Sequence, residues 1–102
     1  MAGWEISRVK EKENVRKHGL SLATGDYVFD GLYFETIDMR RDYGELRLIA
    51  VGPAVAVGNA LLSVTYTWRG PRRRLISVRQ ASATERQRYH HRNTSYEGGG
   101  GR

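Results

Sequence analysis

The chain has 102 residues, a formal net charge of +6, 39% hydrophobic residues and no cysteine. A chain of this length forms one domain with a single modest core. It contains no apolar run of the roughly 20 residues that a membrane span needs, and the lack of cysteine excludes disulfides and thiol chemistry. The first ten residues lack the apolar region of a signal peptide, so we expect a cytoplasmic protein.

The first third of the chain predicts an edge strand followed by two helices. Residues 4–7 alternate apolar and polar side chains, which is typical of a short strand. Residues 8–18 contain few helix breakers, and Gly19 follows them at a position where helices commonly end. Ser21 is a suitable N-cap for a second short helix, which a turn at 30–31 ends.

The rest of the chain predicts a meander of strands and a final helix. The predicted strands are residues 32–38, 45–51, 60–69 and 73–79, with a hairpin loop at 52–59 and a turn at 70–71. Ser82 and Glu85 match a capping box, so a helix is expected from there through Tyr89. The expected fold class is α+β: N-terminal helices, an antiparallel β-sheet meander and a C-terminal helix. We assign 1–92 to one domain and 93–102 to a flexible Gly-rich tail.

The surplus positive charge is local. Residues 69–92 hold eight arginines, no lysine and a single acid, Glu85, whereas residues 1–68 hold eight basic and nine acidic residues. The arginine guanidinium is a planar fork of donors that matches a phosphate two bonds at a time. The segment therefore indicates an acidic partner, either nucleic acid or an acidic protein.

Two of these arginines end predicted strands. If the strands pair around the 70–72 turn, Arg69 and Arg79 fall on one face with Thr65, Thr67 and Ser77. A polar face with hydroxyl groups and arginines favours a ligand surface over a core. The arginines at 72–74 fit a solvated turn equally well.

Aromatic residues are interleaved with the arginines. Nucleobases stack on aromatic rings, so Tyr66, Trp68 and Tyr89 next to basic residues are typical of single-stranded nucleic-acid binding. Tyr66 alternates with Leu62 and Val64, which favours the core instead, and the pattern leaves Trp68 open between the two roles.

Two residues could transfer protons. His18 could act as a general acid or base near neutral pH, although its place at a helix C-terminus favours a role in balancing the helix dipole. Glu45 could act as a base, or it could form an exposed ion pair with Arg47. His90 and His91 are adjacent and no cysteine is present, so we expect no metal site and no cofactor. No Ser/His/Asp set, P-loop or dinucleotide fingerprint is present.

Three segments share a pattern with one known family. The first reads K-x-x-x-N-x-x-K-H-G-L-S over residues 10–21. The second is V-F-D at 28–30, followed by E-x-R-x-x-x-x-G at 45–52. The third is V-T-Y-T-x-R at 64–69, then R-x-I-S-x-R-x-A-S-x-x-E-R-x-x-Y at 74–89. Together they resemble the BrnT family of ribonuclease toxins from bacterial type II toxin–antitoxin systems. The chain departs from that family at Ile6 and Ser7, where the family usually has Trp-Asp.

The resemblance implies a RelE-like α+β fold and metal-independent endoribonuclease activity that inhibits translation and growth. It also implies an RNA substrate and a cognate BrnA-like antitoxin, with operator DNA bound only through the antitoxin complex. No membrane partner is implied.

For such an enzyme we expect the RNA 2′-hydroxyl to attack the adjacent phosphate. Arg69 and Arg79 would clamp the phosphate, and Glu45 would act as base with His18 or Tyr66 as acid. The predicted RNA-binding residues are Lys17, Tyr66, Trp68, Arg69, Arg74 and Arg79. Two alternatives remain: a non-catalytic RNA- or DNA-binding module, and a protein-interaction module whose arginines meet an acidic antitoxin.

Overall fold

The computed structural model describes the backbone of residues 3–100 and the side chains of residues 3–92. Its elements, in chain order, are β1 (Trp4–Glu5), α1 (Arg8–His18), a 3₁₀ helix (Leu22–Asp30), β2 (Phe34–Ile37), β3 (Leu48–Pro53), β4 (Leu61–Arg69), β5 (Arg72–Gln80) and α2 (Ala83–Gly100). The predicted α+β class is confirmed. Within the described chain, no helix is both long and apolar enough to cross a membrane.

The five strands form one sheet in the order β1-β5-β4-β3-β2. Strands β2 to β5 pair as the predicted antiparallel meander. Strand β1 instead pairs parallel with β5, so the sheet is mixed and the prediction of a purely antiparallel sheet was wrong. The two helices and three strands between β1 and β5 make a long connection, which a parallel pair requires and a hairpin cannot provide.

The helix ends follow the sequence signals. Ser7 caps α1 by accepting a hydrogen bond from the Lys10 N–H, and Gly19 ends it with φ of 69°. Ser21 caps the second helix, which is a 3₁₀ helix throughout. The α2 helix extends beyond Tyr89, where the sequence predicted its end. The predicted flexible tail at 93–102 lies outside the residues whose side chains are described.

The main core lies between the 3₁₀ helix and one face of the sheet. Its buried side chains include Leu22, Val28, Ala50, Val64, Tyr66, Leu75 and Val78. Gly25 lets the 3₁₀ helix come this close, because a Cβ atom there would lie 2.7 Å from Cγ2 of Val78. A smaller cluster on the opposite face joins α2 to the sheet through Phe34, Val51, Ala81 and Tyr89.

A β-bulge in β5 changes which side chains share a face. Thr65 pairs with Ser77, whereas the next residue of β4, Tyr66, pairs with Leu75, so Ile76 is the extra residue. Strict alternation along residues 73–79 extends the predicted face of Ser77 and Arg79 to Arg73 and Leu75. That extension was wrong, because the bulge places Leu75 in the core and Ser77 on the opposite face.

The free edge of β5 is closed by a side chain of α1. The buried Asn14 amide accepts a hydrogen bond from the Val78 N–H at 2.9 Å and donates one to the Val78 carbonyl at 2.7 Å. It also donates to the Leu20 carbonyl at 2.9 Å. One amide thus replaces a neighbouring strand and ties α1 to the sheet.

We expect Asn14→Ala to lower the free energy of unfolding by about 2–3 kcal/mol, because it leaves a buried N–H and carbonyl of Val78 without partners. Urea unfolding followed by circular dichroism measures the change. Lys12→Ala, an exposed change on the same helix, is the control and should stay within ~0.5 kcal/mol of wild type. Equal losses for both variants would contradict the role given to Asn14.

Candidate functional site

On the sheet face opposite the main core, the part formed by β4 and β5 is polar. We call it the arginine face, and its residues are Ser63, Thr65, Thr67 and Arg69 of β4 with Arg72, Arg74, Ser77 and Arg79 of β5. The predicted grouping of Arg69 and Arg79 with the hydroxyl-bearing residues is confirmed. The bulge adds Arg74 to the same face.

A carboxylate lies between two arginines where the arginine face reaches the β4–β5 turn. Oε2 of Glu45 accepts a hydrogen bond from Nε of Arg47 at 3.1 Å, and Oε1 lies 3.8 Å from a terminal nitrogen of Arg69. The Arg69 side chain is half exposed. The Arg47 guanidinium also stacks 4.0 Å from the ring centroid of Tyr43, which fixes its position. We call Glu45, Arg47 and Arg69 the hairpin-end cluster.

Arg74 faces the same side of the sheet from β5. Its guanidinium lies 3.2 Å from Oε1 of Glu5, which the parallel pairing of β1 places beside it. The side chain is one third exposed. Since a guanidinium has five N–H donors, Arg74 keeps donors for a second anion.

Arg79 has a different environment from the predicted phosphate clamp. Its two terminal nitrogens donate to the two carboxylate oxygens of Glu85 at 2.7 and 3.0 Å. The same carboxylate accepts from the Ser63 hydroxyl and from the Ser82 N–H, so it also forms the capping box of α2. The guanidinium of Arg79 is therefore used to hold α2 on the sheet.

The titration of Glu85 reflects these bonds. Burial would raise the pKa of this carboxyl group, but hydrogen bonds from Arg79, the Ser82 N–H and Ser63 outweigh that effect and hold the pKa below its usual 4.5. Glu85 is thus ionised whenever the protein is near neutral pH.

Tyr66 lies on the core face and is buried, with 1% of its surface exposed. Its hydroxyl donates to Glu35. Burial, together with this bond to Glu35, raises the pKa of Tyr66 far above its usual value. The predicted core position is confirmed, and at this burial Tyr66 does not present its ring or its hydroxyl group to an RNA strand on the surface.

Trp68 also belongs to the core face, on the side away from Arg69. Its ring is 46% exposed and packs edge-on to Tyr66. The Arg73 guanidinium stacks 3.8 Å from the ring centroid of Phe29 and 4.7 Å from that of Trp68. Sequence reasoning missed this arrangement, because strict alternation gives no signal for the bulge that turns Arg73 toward the rings.

His18 and Lys17 lie apart from Glu45. They line a polar cleft between α1 and β5, where Ser77 is a neighbour. Glu45 contacts Arg69, which pairs with Arg72 at the start of β5. Arg69 and Thr65, the β4 partners of Arg72 and Ser77, are four residues apart, so Arg72 and Ser77 lie about 13 Å apart along the sheet. The structure therefore does not bring together the predicted base, Glu45, and the predicted acid, His18.

The arrangement suits an anion better than a cation. The hairpin-end cluster and Arg74 present partly exposed guanidinium groups on a sheet face whose Ser63, Thr65 and Thr67 are buried. In the described part of the chain no three His, Cys, Asp or Glu side chains gather as possible metal ligands. Guanidinium groups can bind a phosphodiester, and the carboxylate between them can accept a proton beside it. A small protein with such a face is of the class that binds or cleaves nucleic acid.

The chain belongs to the BrnT family, the ribonuclease toxins of type II toxin–antitoxin systems, because the model of that family matches residues 7–85. Membership supports ribonuclease activity on RNA and implies an antitoxin as partner.

A solved structure gives the same assignment. The chain is similar to the crystal structure of the Brucella abortus ribonuclease toxin BrnT, with a TM-score of 0.57 and 25% sequence identity. The match covers 80% of this chain and 99% of the Brucella chain. No curated protein matches the chain in sequence.

We expect Glu85→Gln to lower the free energy of unfolding at neutral pH by about 1.5–3 kcal/mol, because the carboxylate accepts bonds from a cation and from an N–H group. A carboxyl group whose pKa is lower in the folded state stabilises the protein above the unfolded pKa, and that stabilisation is lost as the pH falls through the folded value. The difference between variant and wild type should therefore shrink as the pH falls below 4.5.

Thermal melts of both proteins at neutral and acidic pH measure this effect. Glu13→Gln, an exposed change on α1, is the matched control. If the difference in stability between Glu85→Gln and wild type stays the same at acidic pH, the shape of the Glu85 side chain matters and its charge does not.

Proposed function

We propose that this chain is an endoribonuclease toxin that cleaves RNA at the hairpin-end cluster without a metal ion. Glu45, held between Arg47 and Arg69, is the observation that carries the proposal. Cleavage would inhibit translation and growth, and a BrnA-like antitoxin would neutralise it. A RelE-like fold, a cytoplasmic location and operator binding through the antitoxin complex belong to the same proposal and rest on family membership.

The reaction needs a base for the 2′-hydroxyl and positive groups that stabilise the negative charge developing on the phosphate. Glu45 takes the proton of the RNA 2′-hydroxyl, whose oxygen attacks the adjacent phosphorus. The bond to the 5′-oxygen then breaks, giving a 2′,3′-cyclic phosphate and a 5′-hydroxyl, and the leaving oxygen takes its proton from water. Glu45 then gives its proton to the hydroxide that this water leaves, which restores both the carboxylate and the water, so atoms and charge balance in an internal transfer.

The two arginines of the cluster have different tasks. Arg47 holds the carboxylate through a 3.1 Å hydrogen bond and is itself fixed by stacking on Tyr43. Arg69 lies farther away, at 3.8 Å from Glu45, and half of its side chain is exposed. Arg69 is therefore the group that can turn to the phosphate without releasing the base.

Arg74 supplies a second guanidinium on the same face. Its ion pair with Glu5 is single and not bidentate, which leaves donors for a non-bridging phosphate oxygen. Two positioned guanidinium groups stabilise the negative charge that develops on the phosphate in the transition state. Such electrostatic stabilisation by fixed groups accounts for most of the rate enhancement in many enzymes.

We expect Arg69→Lys to lower the rate of RNA cleavage at least about tenfold, because lysine keeps the charge and loses the planar fork. Glu45→Gln should lower it about a hundredfold, since a general base contributes that much or more. Arg86→Lys, an exposed change on α2, is the matched control and should leave the rate unchanged. Single-turnover cleavage of a labelled RNA measures all three, with circular dichroism melts to check folding.

Full activity of both Arg69→Lys and Glu45→Gln would refute the proposed site. If Glu45→Gln loses cleavage but binds RNA with unchanged affinity, the protein is an enzyme and not a module that only binds RNA.

We expect cleavage to survive EDTA, because Arg69 and Arg74 supply the positive charge that a metal ion supplies elsewhere. The assay compares purified protein in EDTA, in Mg²⁺ and in buffer alone. Glu45→Gln is assayed beside it to exclude a contaminating nuclease, whose activity would be the same in both preparations. Loss of activity in EDTA that Mg²⁺ restores would contradict metal independence.

A further inference from the structure

The cleft between α1 and β5 is a separate, positively charged hollow. Its volume is about 120 Å³, and Lys10, Lys17 and His18 of α1 line it together with Ser77 of β5. Glu13 is the acidic residue among the described residues that line it. Three groups that can be cationic thus face one carboxylate across a small volume.

The cations converge because of the helix period. Lys10, Asn14 and Lys17 are spaced i, i+4 and i+7, so they share one face of α1. The hydrogen bonds of Asn14 to Val78 hold that face against β5. Across residues 3–92, neither lysine has an ion pair. Their ammonium groups are therefore available to an anion.

The cleft is continuous with the arginine face through Ser77, which belongs to both. Because of the bulge, Ser77 lies only two β4 residues from the partner of Arg74, or about 7 Å, and four from the partner of Arg72, or about 13 Å. These distances exceed the size of one phosphate group. If an RNA strand places one phosphate at the hairpin-end cluster, it is therefore a different phosphate of the same strand that reaches the cleft.

We propose that the cleft is a second phosphate subsite, which binds the backbone of single-stranded RNA away from the bond that is cleaved. The inference rests on the proposed function and extends it to the length of the substrate. Lys10, Lys17 and His18 then bind the substrate and take no part in proton transfer. Because lysine contacts phosphate without reading a base, the subsite adds affinity for longer RNA whatever its sequence.

Kinetics on two substrate lengths test the proposal. Lys17→Ala is expected to raise the KM for a long oligoribonucleotide about tenfold, the value of one charge-assisted hydrogen bond, and to leave kcat unchanged. Cleavage of a dinucleotide, which is too short to reach the cleft, should be unaffected.

Arg16→Ala and Lys12→Ala are the matched controls. Each removes one positive charge from α1 at an exposed position outside the cleft lining. They should change the KM by less than about twofold, because separated surface charges are screened by salt. An equal rise of KM in Lys17→Ala and Arg16→Ala would overturn the subsite, and so would a loss of kcat on the dinucleotide.

A binding measurement separates failure of the subsite from failure of the proposed function. A non-cleavable 2′-deoxy oligonucleotide is added to wild type, and the imidazole signals of His18 are followed by NMR, with a His18→Asn variant to assign them. A shift that Lys17→Ala abolishes supports the subsite even if the wild type cleaves no RNA. No shift at saturating oligonucleotide overturns the subsite even if the wild type is active.

Discussion

One extra residue in β5 decides where the charges of this protein lie. The bulge at Ile76 lets Ser77 pair with Thr65 and Leu75 pair with Tyr66. Without it, a regular strand would place Arg73 on the same face as Ser77 and would turn Arg74 toward the core. With it, Arg74 joins Arg69 on the arginine face, and Arg73 stacks on Phe29 and Trp68 instead. A single irregularity thus separates guanidinium groups that face solvent from one that packs against aromatic rings.

The edge of β5 matters as much as its pairing with β4. Near the turn it pairs with β1, which brings Glu5 to Arg74, and farther along the Asn14 amide takes the place of a strand. Both contacts come from the first 14 residues. The N-terminal segment therefore positions one side of the candidate site and all of the cleft, although the surplus arginines lie in the second half of the chain.

Much of the fold could be predicted because its signals are local. Ser7, Gly19, Ser21 and the Ser82–Glu85 box each act within one turn of a helix, and the alternation in β4 correctly separated Tyr66 from Thr67. The bulge could not be predicted, since no residue of β5 differs in type from those of a regular strand. The ion pair of Arg79 with Glu85 was missed for another reason. It depends on α2 folding back over the sheet, which spacing along the chain does not show.

Gly25 illustrates how closely the parts of the core constrain each other. A methyl group there would meet Val78 at 2.7 Å and Val64 at 3.1 Å. The backbone of residue 25 and the side chain of residue 78 therefore share one volume. In relatives of this protein the two positions should covary: where residue 25 bears a side chain, residue 78 must be smaller, or the 3₁₀ helix must stand farther from the sheet. Evolution can change either position only in step with the other.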